Sequence, residues 1–194
     1  MYQLVEEKVR KMLDEKRFIH SKNVVKAAVA LANKFDLDIE KIKIAAIAHD
    51  CAKNFSDDEL LKKANYYGIM VDEIQKRCPF LLHGPVGAYI CKYEFEIKDE
   101  DIFNAIYYHT TGRKGMSIFE SIIYLADFIS EDRNFEGVDK IRKEAFENFK
   151  KALLLSCNST LTYVIEKNNL IHPLTIEFRN WIILEGENTW KKKD

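Results

Sequence analysis

The chain has 194 residues, with 30 Lys and Arg against 31 Asp and Glu, for a formal net charge of −1. Its 47% hydrophobic and 31% charged content is that of an ordinary globular protein, long enough for one domain with a real core. A near-neutral charge without a basic stripe excludes a general electrostatic pull toward nucleic acid or anionic membrane. The longest uncharged run, ALLLSCNSTLTYVI at 152–165, has 14 residues, short of the ~20 a spanning helix needs. The N-terminal MYQLVEEKVRKMLDEK carries acids and no apolar stretch, unlike a secretory leader. Cysteines 51, 78, 91 and 157 show no CxxC spacing and read as reduced thiols, so a cytoplasmic location is expected.

Apolar residues recur at helical spacing along most of the chain. A first helix is expected near 3–14, and a second near 17–35 places His20 on the same stripe as Val24, Ala28, Leu31 and Phe35. A third, near 39–53, carries His49 behind Ile42, Ala45 and Ala46. Ser56 before an acidic triplet opens a helix to about Tyr67, stopped by Gly68. Further helices are expected after Gly84-Pro85 and near 99–109, 117–130, 137–168 and 174–190, with Gly112 closing the 99–109 helix. No strand pattern and no internal linker stand out. The expected fold class is all-α, a single-domain helical bundle over 1–194.

Ionisable side chains on these apolar stripes need a reason. A lone inward His is more often a hydrogen-bonded core residue than a ligand, and Asp127 in IIYLADFIS has Arg133 as an ordinary partner. Their number changes the weighing. His20, the adjacent His49 and Asp50, and Asp127 lie on different helices, and a bundle can converge such groups on one ion. Imidazoles and carboxylates suit zinc, iron or manganese. Lys53 can offer a point charge to phosphate, and Arg17 and Arg133 a bidentate grip, although each would alone pass for a solvated residue. The TTGRKG loop at 110–115 is either a polyphosphate cover or a basic turn. Phe18, Tyr107 and Tyr108 are candidate partners for a base.

The order His20, His49-Asp50, His83, His109, Asp127 resembles the HD superfamily of metal-dependent phosphohydrolases. The words RFIHS, HDCAK, LLHGPVGA, HTTG, IIYLADFISEDR and NNLIHPLT look like its YqeK-like branch, the symmetrical bis(5'-nucleosyl)-tetraphosphatases. Motifs cover about 17–133, with the helices of 137–190 completing the fold. ISEDR departs from the more usual IEPxR but keeps Arg133. The resemblance implies one metal, iron foremost with manganese or another divalent ion open, held by His20, His49, Asp50 and Asp127. It implies symmetrical cleavage of diadenosine tetraphosphate to two ADP. His83 and His109 would contact phosphate or hold a second metal, and Asp50, Lys53, His83 and His109 form the catalytic set. Arg17, Lys53, Arg133 and the segment of Leu170, Ile171, His172 and Thr175 would meet the nucleotide. The expected partners are a small-molecule nucleotide and its ADP product, not nucleic acid or membrane, and a homodimer stays open. The alternatives are another HD phosphohydrolase, acting on nucleotide monophosphates or guanosine polyphosphate alarmones, or a non-catalytic nucleotide-binding module.

Overall fold

The computed structural model describes residues 1–189, with side chains to Leu184. In chain order it forms α1 Tyr2–Met12, α2 Glu15–Ala32, α3 Ile39–Ala48, α4 Asp57–Tyr66, α5 Glu73–Arg77, a 3-10 turn Pro79–Leu82, α6 His83–Tyr93, α7 Glu100–Tyr108, α8 Ile118–Ile129, α9 Val138–Glu147, α10 Phe149–Glu166 and α11 Pro173–Thr189. No strand occurs among the described residues, and the fold is all-α. None of these helices is long and apolar enough to cross a membrane. The expected helix of 174–190 reaches Thr189, and Trp190 with the KKKD tip lies outside the described residues.

Most helices begin where a short side-chain acceptor meets the first-turn amides. Asp14, Asp38, Ser56, Asp72, Asp99, Ser117 and Asn148 each cap in this way, and such a cap is worth about 1 kcal/mol. Asn148 also corrects an expectation. The helix expected over 137–168 is two helices, because Asn148 leaves helical geometry (φ −144, ψ 87) and its side chain starts α10 by accepting the Lys151 amide at 3.0 Å. The helix expected to 35 ends at Ala32, and α5 and the 3-10 turn, of five and four residues, are too short to carry a periodic signal.

The core is built around α8, buried from Phe119 through Ala126 and packed by α2, α3, α7, α9 and α10. One apolar cluster runs from Val5 in α1 to Ile182 in α11. Gly112 is needed where α11 docks. Its φ is +66, and a Cβ there would lie 2.3 Å from Cδ1 of the buried Phe178, so only glycine lets that ring approach the turn after α7.

A second correction shapes the site. The helix expected to run to 53 stops at Ala48, and tight i→i−3 turns follow. Cys51 N–H reaches the Ala48 carbonyl at 3.0 Å and Lys53 N–H the Asp50 carbonyl at 2.8 Å. This change of winding, to about 3.0 residues per turn, resets the directions in which the side chains after Ala48 leave the backbone.

Candidate metal and phosphate site

Helix ends carry the imidazoles. His49 caps α3, His109 caps α7, and His83 opens α6 directly after the 3-10 turn. The last carbonyls of a helix lack intrahelical partners, and each of these rings takes one. Nδ1–H of His49 donates to the Ala46 carbonyl and Nδ1–H of His109 to that of Ile106, both at 2.7 Å, while His83 donates likewise to Phe80. A carbonyl can only accept, so Nδ1 holds the proton and Nε2 is left as a lone pair in each neutral ring. All three Nε2 atoms turn inward.

They meet two carboxylates. Nε2 of His49 is 3.7 Å from Oδ2 of Asp50 and 3.9 Å from Oδ1 of Asp127. Oδ1 of Asp50 lies 3.2 Å from His83 Nε2 and 3.5 Å from His109 Nε2. His20, from α2, places Nε2 2.9 Å from Oδ1 of Asp127. Ligand atoms of His20, His49 and Asp50 converge within 4.8 Å of one another, as do those of His49, His109 and Asp127 and those of Asp50, His83 and His109.

The electrostatics point the same way. His49 is fully buried, its Nε2 has no hydrogen-bond partner, and burial pushes its imidazole down to about 4. An unprotonated lone pair facing two carboxylates, sealed from water, is a costly arrangement unless a cation fills it. Burial pushes the Asp50 carboxyl up, but His49, His109, His83 and Lys53 outweigh it and hold it well below the usual value. Asp127 behaves alike, burial being outweighed by His20, Arg133 and His49. Burial and the Lys53 charge take His83 to about 4. This His/Asp cluster suggests a bound divalent metal, and the donors fit one.

Cations border the cluster. Lys53 Nζ is 3.1 Å from His83 Nε2 and 4.0 Å from Asp50 Oδ1. Arg17 Nη1 is 3.4 Å from Asp50 Oδ2, and Arg133 bonds both the Asp127 carbonyl, at 2.9 Å, and its carboxylate. These side chains open onto a pocket of about 240 Å³, which Thr110, Tyr124, Phe128 and Thr160 also line.

Some expected residues stand elsewhere. Leu170, Ile171, His172 and Thr175 do not line this pocket. His172 accepts the Leu174 amide at Nδ1 and gives its Nε2 proton to Asp72, 2.8 Å away, clasping the start of α11 to α5. Leu170 is exposed, Ile171 packs on the core, and Thr175 is buried with its carbonyl 3.6 Å from Cys157 Sγ. Phe18 lies under Arg10, and Tyr107 and Tyr108 pair with each other. Arg113 reaches away from the pocket into a bidentate pair with the buried Glu120, both bonds 2.8 Å, so the 110–115 loop is a braced turn. Tyr124, Phe128 and Thr160 were not expected in the site, and neither were two residues that touch its imidazoles. Thr110 places Oγ1 3.1 Å from both His83 and His109 Nε2, and Asp132 binds His20. Thr110 had a signal, its place directly after His109, and Asp132 had one in its place within IIYLADFISEDR.

The HD domain family model matches residues 17–132. The symmetrical bis(5'-nucleosyl)-tetraphosphatase of Bacillus subtilis (strain 168) is 41% identical over 175 residues, covering 90% of this chain and 94% of that protein. Its namesake from Halalkalibacterium halodurans is 38% identical over 177 residues, covering 91% and 94%. A crystal structure of a predicted HD superfamily hydrolase from Clostridium acetobutylicum, described as involved in NAD metabolism, superposes with a TM-score of 0.91 at 42% identity, covering 94% of this chain and 97% of that one. The chain belongs to the HD domain family and, within it, to the group of the symmetrical bis(5'-nucleosyl)-tetraphosphatases.

Proposed function

We propose that this chain hydrolyses diadenosine tetraphosphate symmetrically, water adding to one central phosphorus while the bridging oxygen leaves with the other half as ADP. The observation that carries the reading is the orphaned Nε2 of His49, aimed between Asp50 and Asp127 beside an arc of Lys53, Arg17 and Arg133. His20, His49, Asp50 and Asp127 would hold one cation, and its chemistry is Lewis-acid charge and acidification of water toward a pKa of about 7. Mixed imidazole and carboxylate donors without thiolate favour iron, with manganese as a substitute.

The chain's own residues do the rest. Lys53, Arg17 and Arg133 place positive charge along the phosphates, where a preorganised cation in a shielded pocket acts more strongly than in water. His83, neutral at working pH, is a proton acceptor at Nε2, held in that state by its Nδ1–H bond to Phe80. Asp50 touches both halves of the cluster through its two oxygens. A dinuclear version has one supporting observation, since Asp50, His83 and His109 form a donor triad of their own. Lys53 supports the mononuclear version, because its ammonium already neighbours His83 and Asp50.

The apolar cluster spanning α1 to α11 supports the chain acting as one domain, and its free cysteines accord with a reducing cytoplasm. Incubating metal-loaded protein with diadenosine tetraphosphate tests the activity. ADP as sole product supports it, and ATP plus AMP overturns it. Elemental analysis of the same preparation tests the metal, and two equivalents per chain would defeat the mononuclear version.

A further inference from the structure

The phosphate pocket is too small and too polar to hold a nucleoside. Its roughly 240 Å³ falls below the usual small-ligand range of about 300–1,000 Å³. A second cavity, of about 360 Å³, adjoins it and shares Phe128, Arg133 and Thr160 with it. The rest of its wall is Phe135, Ser159 and Tyr163. The two pockets are therefore neighbours, one charged at the metal end and the other aromatic, and Arg133 borders both.

We propose that the aromatic cavity takes the base and ribose of one nucleoside half, resting on the dinucleotide reading above. Phe128 and Phe135 are set edge to face, with centroids 5.0 Å apart and planes at 76°. They give the cavity a rigid apolar floor. Tyr163 is 60% exposed, with the Lys167 ammonium 5.9 Å from its ring centroid, and supplies a flat face on which a base stacks. Thr160 donates its hydroxyl proton to the Ser156 carbonyl at 3.1 Å. Its oxygen therefore remains an acceptor for a ribose hydroxyl, and Ser159 one residue earlier offers either role. Arg133 then spans from the nucleoside to its phosphates, which explains why it stands at the boundary of both pockets. None of Phe18, Tyr107 or Tyr108 lines this cavity.

Calorimetric titration of the manganese-loaded protein with ADP, and separately with inorganic pyrophosphate, tests the assignment. Tyr163→Ala should weaken ADP binding about tenfold or more while leaving pyrophosphate affinity as in the parent, since base stacking is lost and phosphate contacts are kept. Tyr163→Phe, which keeps the ring, should restore ADP affinity. Unchanged ADP affinity in Tyr163→Ala, or an equal loss for ADP and pyrophosphate, would overturn the nucleoside pocket and leave the hydrolase reading intact. A parent protein that binds neither compound would overturn both. Because Tyr163 is mostly solvent-exposed, truncating it does not threaten the core. Ser159→Trp, which fills the cavity from a second wall, should produce the same selective loss.

Discussion

Nδ1 of His20 lies 2.8 Å from Oδ2 of Asp132, while Nε2 of the same ring faces Asp127 at 2.9 Å. Asn23 holds the other Asp132 oxygen at 3.2 Å. A carboxylate behind a ligating imidazole fixes its tautomer and raises its basicity, and removing one costs about 10–100-fold in metal affinity. Asp132→Ala should therefore weaken metal binding by that factor, and Asp132→Asn, which still accepts at one oxygen, by less. Competition titration against a chelator measures this. Equal affinity in all three proteins would reduce Asp132 to a bystander.

Losing a ligand should exceed losing its support. His49→Ala is expected to cost more than about 100-fold in metal affinity and to lose hydrolysis with it. In the parent protein, metal at 100 times its Kd should add about 2.7 kcal/mol of stability, seen as a rise in Tm that EDTA reverses. In His49→Ala the same metal concentration should leave Tm nearly still. A full thermal shift in that variant would refute the assignment of His49.

Lys53 offers a cleaner separation of chemistry from metal binding. Burial lowers its ammonium from the usual value, with Asp50 and Asp127 acting against the shift. Lys53→Ala should reduce kcat/KM by about 10²-fold, the scale of losing one preorganised donor to a developing charge, at unchanged metal content. Lys53→Arg should recover part of it. Loss of the metal in Lys53→Ala would instead make Lys53 a structural support.

Stability of the metal-free protein should depend on pH in a defined direction. His49 and His83 titrate near 4 in the folded chain against 6.5 in the unfolded one. Between those values the unfolded state binds more protons, so stability rises with pH, by up to about 1.4 kcal/mol per unit for each group, and levels off above 6.5. His20 works oppositely. Burial lowers it, but Asp127 outweighs burial and its net shift is upward, so its contribution is present below 6.5 and fades as pH rises. Urea midpoints measured with EDTA from pH 4.5 to 7 should climb, and His49→Leu should flatten the slope. An unaltered slope would contradict the buried neutral state of His49.

Arg113 should matter to folding and not to the metal. Its bidentate bond is the partner of a Glu120 carboxylate that is 2% exposed. Arg113→Ala leaves that carboxylate buried with only its capping contact to the Ser117 amide, and should destabilise by about 2–3 kcal/mol while metal content is kept. Denaturant unfolding with elemental analysis checks both halves.

Much of this molecule could be read without coordinates. The apolar rhythm and the cap residues placed most helices, since both signals are local and Ser56 or Ser117 acts on amides within one turn. The break at Asn148 escaped, because the apolar pattern continues on both sides and only the backbone there departs from it. The short elements at 73–77 and 79–82 escaped because a stripe needs more residues than they have.

The amino-acid order by itself determined the donor types, the helices that carry them and the family. It could not determine which ring nitrogen points inward. That depended on orphan carbonyls of Ala46, Phe80 and Ile106, which exist only where α3, the 3-10 turn and α7 end. Nor could it pair His20 with Asp132, 112 residues away, or open an aromatic cavity between α8 and α10. Such contacts arise from packing between distant segments, and no local signal in either segment encodes the other.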